Sequence, residues 1–200
     1  MPENTDRRST IGLKRLVMWP LTADTESELD YGNPTEFVKS LMTATRTPNQ
    51  VEADQSADNQ VVEDVTLNMG GTLAFGLTAI NATDRTLLYG NEEDAGSIRI
   101  HKDDLPPYLA VAYMATRRDG TVNLYKFMKS SYAEQAETHE TVQSGSVKFA
   151  TTNIQGKYIA TTNGGDYGYI RMGVDTVADA AVVDSWFTDA DYHGPAAGEG

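Results

Sequence analysis

The sequence has no cysteine. That excludes disulfides, thiolate metal sites and a cysteine nucleophile, and a chain of 200 residues can bury a core without such staples. Histidine is scarce too. His101, His139 and His193 stand far apart, and none has a metal-ligand spacing such as His-x-x-x-His. Positive charge is short: 16 Lys and Arg against 29 Asp and Glu give a formal net charge of -13. Such a surface repels nucleic acid and anionic lipid, which argues against specific DNA binding through a basic patch. Arg117-Arg118 lies on a hairpin shoulder beside Asp119 and makes no such patch. Long apolar runs are missing as well. The longest, Leu105 to Ala115, contains two prolines and falls far below the roughly 20 residues of a membrane span. The opening MPENTDRRST has no apolar segment of a secretory signal. These features predict a soluble protein made in a cytoplasm, with no membrane association.

Motifs that carry chemistry are also absent. Gly70-Gly71 and Gly164-Gly165 belong to neither a Gly-x-x-x-x-Gly-Lys loop nor a Gly-x-Gly-x-x-Gly turn, and there is no Gly-x-Ser-x-Gly elbow. The pairs Glu92-Glu93 and Asp103-Asp104 sit in loop-like surroundings and read as solvated charge. Asp189, Asp191 and His193 alternate and would share one face of a strand, but they fall in a segment that reads as a loose tail. The expectation is a protein that is not an enzyme and needs no cofactor or metal.

What the sequence does contain is strand. Ile11 to Trp19 alternates and should end at Pro20, followed by a polar loop over 22–36. A further strand is expected from Phe37 to Thr47. Val61 to Asn68 and Thr72 to Ile80 read as strands around a turn at Met69-Gly70-Gly71-Thr72. Tyr108 to Thr116 and Thr121 to Lys129 form the clearest hairpin, turned at Asp119-Gly120. Ser146 to Thr162 alternates at length, and Asn163-Gly164-Gly165-Asp166 turns it into Tyr167 to Val174. Asn81-Ala82-Thr83-Asp84 offers capping residues for a short helix through Leu87, Leu88 and Tyr89 that Gly90 should stop. Ala178, Val182 and Trp186 mark a second helix, capped by Asp175 or Thr176.

The pattern predicts a mainly β fold: an antiparallel sandwich or barrel with one or two short flanking helices, a long projecting loop and extended termini. Residues 1–10 form an arm, 11–188 one domain and 189–200 a tail. The stretch from Asn49 to Asp64, NQVEADQSADNQVVED, is polar and acidic, and a structureless loop of that length is uncommon in a compact domain. It reads either as a surface excursion or as a projecting hairpin that orders against a partner.

Several segments, in order, resemble one family: the major tail tube proteins of long-tailed bacteriophages with non-contractile tails. They are the opening IGLKRLVMWPLT, the acidic VEADQSADN, the helix RTLLYG, the stretch PPYLAVAYMATRRDGTVNLYKFMKSSYAEQAETHET, then VKFATTNIQGKY and Trp186-Phe187. Together they cover most of residues 11–187. The chain departs from the pattern at its long loop, where Val51-Glu52 stands in place of an aromatic before Ala53-Asp54.

The resemblance implies a β-sandwich subunit that forms hexameric rings. The rings stack into a hollow tube around a tape-measure protein, between terminator and distal tail proteins. Genome DNA passes through the lumen without specific binding, and the acidic balance suits such a wall. The place of the protein would be the virion tail, assembled in the host cytoplasm. By the same resemblance the loop over 47–62 bridges rings, with Glu52, Asp54, Asp58 and Val61 as its contact residues. Two alternatives share the composition. One is a tube protein of a contractile tail or secretion system, and the other is a β-sandwich carbohydrate-binding module. The latter would expect a planar row of exposed aromatics, whereas Trp19 and Trp186 stand among apolar neighbours.

Overall fold

The computed structural model describes residues 9–57, 60–136, 151–175 and 179–195, with the backbone alone at 53–57, 60–64 and 172–175. Among these the elements run β1 (Thr10–Asp24), β2 (Leu29–Tyr31), β3 (Thr35–Glu36), β4 (Leu41–Ala57), β5 (Gln60–Leu77), α1 (Ala82–Tyr89), β6 (Glu92–Asp94), β7 (Ser97–Arg99), β8 (Leu109–Arg117), β9 (Thr121–Ala133), β10 (Thr152–Tyr158), β11 (Tyr169–Asp175) and α2 (Ala180–Thr188). The fold is mainly β and antiparallel, with two short flanking helices. The main sheet runs β2-β1-β8-β9-β10-β5-β4, with β3 also on β1 and β11 also on β9. β9 carries β11 along Thr121–Lys126 and β10 along Ser130–Ala133, so the sheet forks there into the layers of a sandwich.

The centre is the β1–β8–β9 ladder, and it is apolar on both faces. Leu16, Met18, Leu109, Val111 and Tyr113 pack with Phe75, Phe127, Tyr132, Ile154 and Tyr158 on one side. The alternate residues Val17, Trp19, Ala110 and Ala112 pack with Val122, Leu124, Val183, Trp186 and Phe187 on the other. Strands buried on both faces need continuous apolar sequence, which is what YLAVAYMA supplies. Ala110 and Ala112 are small where α2 lies, leaving room for Trp186 and Phe187. Trp19 and Trp186 are both core, as the sequence predicts.

Several boundaries differ from expectation for identifiable reasons. Pro20 does not end β1. It is the last residue laddered to β8, and its carbonyl still accepts the Gly32 N–H at 2.8 Å, so the strand runs on to Asp24 and pairs with β2 inside the expected polar loop. Met69 to Thr72 is not a reversal. β5 passes straight through it, with Gly70 at φ 89° where the β4–β5 register shifts between Pro48 and Gln50. A Cβ on Gly70 would lie 2.3 Å from the Tyr158 carbonyl oxygen, so glycine is required there for close approach and for backbone sign. The loop expected at Glu92–Asp94 pairs with β7. Phe37 is buried ahead of a turn, and the strand begins at Leu41. β10 spans Thr152–Tyr158; residues 146–150 of the expected longer strand lie outside the described residues. α2 starts at Ala180, after Asp179, whose side chain makes no capping bond. Asp175 instead ends β11, and Thr176 lies outside the described residues. Helix α1 follows expectation: Asn81 and Asp84 form a reciprocal capping box, and Gly90 closes it at φ 74°.

Two side chains hold α2 on the sheet. Arg15 sits at φ 48° in a β1 bulge, which aims its guanidinium at Glu36 (3.2 Å) and Asp184 (3.8 Å) and over the Phe187 ring (4.4 Å). Lys126 is fully buried on β9, between the Trp19 and Trp186 rings. Its ammonium donates to the carbonyls of Asp189 (2.7 Å) and Tyr192 (3.0 Å), just past the carbonyl end of α2, where a cation is favoured. The chain at 189–193 is therefore packed, with Ala190 buried, where the sequence reads as loose tail.

Two stability outcomes follow. Trp186→Ala empties the face under α2 and should cost about 3–5 kcal/mol in urea denaturation. Burial pushes the Lys126 pKa down to about 8, although Asp189 and Asp191 pull it upward. Between pH 8 and 10 the unfolded chain, with lysine near its ordinary 10.5, binds more protons than the folded one, so stability should rise with pH. Near and above pH 10 the buried Tyr113 and Tyr132 oppose this, since burial raises their pKa values. Lys126→Met should abolish the rise; an unchanged pH slope in the variant would contradict the assignment.

Candidate assembly surface

The β4–β5 hairpin has two parts. Near the body, β5 from Gly71 to Leu77 is covered by β10, residue for residue from Tyr158 to Thr152. Farther out, from Gln50 opposite Asn68 to Ala57 opposite Gln60, the strands pair, among the described residues, only with each other. Eight residues of strand at about 3.3 Å each reach about 25 Å. The base is fixed at β10. The Arg46 Nε–H donates to the Tyr158 hydroxyl at 2.9 Å, the guanidinium lies 5.5 Å from that ring, and Gly71 passes directly beneath it.

The register sorts the side chains of the outer part. Val51 stands opposite Leu67, and Val65 and Met69 share the face of Leu67 by the period of two. All four are exposed, Leu67 at 56% and Met69 at 55%. The other face carries Gln50, Glu52, Thr66 and Asn68, also exposed. Over Gln50–Glu52 and Val65–Met69 the ribbon thus has one apolar and one polar face, neither covered by the rest of the described chain; Gln55 and Glu63 follow on the apolar side by register. A two-stranded ribbon is marginal in water alone, and contiguous exposed apolar surface rimmed by polar groups marks an interaction site.

Of the residues expected from sequence, Glu52 lies on the polar face. Asp54 follows it at the next position of that face, placed by backbone opposite Asp64. Val61 is placed by backbone opposite Ser56, and Asp58 lies outside the described residues. Sequence alternation alone puts Val61, Val65 and Leu67 on one strand face; it does not join Val51 or Met69 to them, because Val51 comes through the register with β4 and Met69 reads as part of a turn at Gly70.

The remaining polar clusters have structural partners. His101 Nε2 lies 3.2 Å from Glu92, and Thr83 donates to Glu93 at 3.1 Å. Asp189 accepts the Asp191 N–H at 2.9 Å, and His193 contacts Asp191 at 3.2 Å. Among the described residues no group of three or more His, Asp or Glu side chains is placed to hold a metal ion. Among the described residues no helix is long and apolar enough to cross a membrane. No family model matches the chain, and comparison with curated proteins finds no match.

The bulge at Gly70 sets where the ribbon leaves the body. Gly70→Ala should destabilise the fold by about 1–3 kcal/mol, read by thermal unfolding, because it adds both φ strain and a clash with Tyr158. A variant as stable as the parent would show that the bulge is dispensable.

Proposed function

We propose that the chain is a structural subunit of a bacteriophage tail tube, assembling with copies of itself into stacked hexameric rings that conduct genome DNA. The observation that carries this reading is the projecting β4–β5 ribbon with its uncovered apolar face. A monomer gains nothing from Val51, Val65, Leu67 and Met69 in water; a neighbour that covers them gives the ribbon its reason to exist. The ordered sequence resemblance to tail tube proteins supports the ring-and-stack geometry, and the ribbon coincides with the segment that the resemblance makes a bridge between rings.

In this reading the apolar stripe supplies the burial. Glu52 and Asp54 meet basic groups at the rim, where charges tune register and rate more than affinity. Contacts along a tube are both closed and propagating: lateral ones close a ring and axial ones repeat. Obligate interfaces of this kind bury about 2,000 Å² or more in total per pair. The tape-measure protein would occupy the lumen during assembly, and terminator and distal tail proteins would cap the ends.

The test replaces Leu67 and Met69 by Asp. Both side chains are exposed, so the variant should fold with an unchanged circular dichroism spectrum. It should sediment as monomer or isolated rings at concentrations where the parent forms long assemblies. Tubes of parental length from the variant would remove the ribbon from the stacking contact.

A further inference from the structure

The connection from α1 to β8 carries a second exposed apolar feature. His101 to Asp104 close a turn: the Asp104 N–H donates to the His101 carbonyl at 3.2 Å, and the Asp104 carboxylate accepts the His101 N–H at 2.8 Å. Ile100 and Leu105 flank this turn. Ile100 is 64% exposed and Leu105 82%. The Leu105 backbone is pressed onto Gly90, where an added Cβ would lie 2.4 Å from the Leu105 oxygen. The loop is thus held by its main chain while its apolar side chains face water. Around this knob stand Glu92, Glu93, Asp94, Asp103 and Asp104 against only Arg99 and Lys102, and those two cations already pair with Asp94 and Asp103.

The complementary chemistry lies elsewhere on the same chain. Val38 and Met42 are exposed in the segment from β3 into β4, and Ile11 is exposed on β1. Lys39 is exposed next to Val38, Lys14 is exposed on β1, and no ion pair joins either lysine to a carboxylate among the described residues. The Phe37 N–H donates to the Leu16 carbonyl at 2.8 Å, which sets this turn alongside Lys14 to Leu16. The knob leads into Leu109, which is laddered to Pro20; Lys14 is laddered to Met114. Six residues of strand separate the two places along β1, about 20 Å, so one copy does not join its own surfaces.

We infer that the two surfaces meet between neighbouring copies. The acidic Ile100–Leu105 knob of one subunit seats on the basic Val38–Lys39–Met42 face of the next, head to tail. Both halves of the contact reside on one chain, which makes a second copy the partner and the contact heterologous, the kind that closes rings. Apolar centre and opposite charge at the rim are the division of labour of a specific interface. The inference rests on the self-assembly reading but not on the ribbon.

The experiment uses two full-length variants, Ile100→Asp with Leu105→Asp and Val38→Asp with Met42→Asp. All four side chains are exposed, and circular dichroism verifies the fold. Each variant alone should associate about tenfold or more weakly than the parent in mass photometry. An equimolar mixture should restore a heterodimer, because each variant keeps the half that the other lost. Lys39→Glu mixed with Asp103→Lys should behave in the same way without touching an apolar side chain. Parental assembly by either double variant would overturn the knob contact while leaving the ribbon reading intact. Weakened variants whose mixture fails to pair would show that the two surfaces do not meet. A parent that stays monomeric would overturn the contact together with the self-assembly reading.

Discussion

Burial of the β1–β8–β9 ladder on both faces is the constraint from which the rest follows. A strand with two buried faces cannot alternate apolar with polar, so Leu16 to Trp19 and Leu109 to Tyr113 are apolar without a break. It also needs two covers. One is the β10–β5–β4 layer with α1, over the large side chains. The other is α2, over Ala110 and Ala112. The fork at β9 is where the sheet divides to provide the first cover while β11 continues the central layer. Arg15 and Lys126 hold the second cover in place, the former through a strained bulge and the latter as a buried cation on carbonyls past the end of α2.

That arrangement exhausts the cover before it reaches the outer β4–β5 ribbon. β10 is short, and opposite Gly71 it stops; among the described residues the ribbon beyond has neither a neighbour strand nor a layer over it. Its apolar face and the Ile100–Leu105 knob are therefore outside the folding problem. Proteins blunt such surfaces with charge when they must remain single. Here Glu52 and Asp54 lie on the opposite ribbon face, and the knob's carboxylates stand around its centre, which leaves Val51, Leu67 and Met69 available to a partner.

Much of this was legible in the sequence, and the misses share one physical cause. The β8–β9 hairpin, the Asn81 cap, the Gly90 stop and the core tryptophans were read from local chemistry that tertiary context did not override. Glycine and proline misled because their signals are ambiguous about context. Gly70 marks a special φ, which serves a reversal or a bulge equally well; only the Tyr158 backbone decides between them. Pro20 lacks an N–H, yet its carbonyl still pairs. Alternation puts Lys126 on one face with Val122 and Leu124, but nothing local reveals that a distant carbonyl pair awaits its ammonium. The stretch over 47–62 stands out in the sequence by its length and acidity, whereas the facing of Val51 and Leu67 depends on a register that sequence does not contain.

The central claim is that the chain acts by assembling through its uncovered ribbon. Electron cryomicroscopy of the purified parent protein at high concentration tests it most directly. The account predicts stacked rings in which Leu67 and Met69 are buried against a neighbouring subunit. Monodisperse monomers, or tubes in which those side chains remain in solvent, would contradict it.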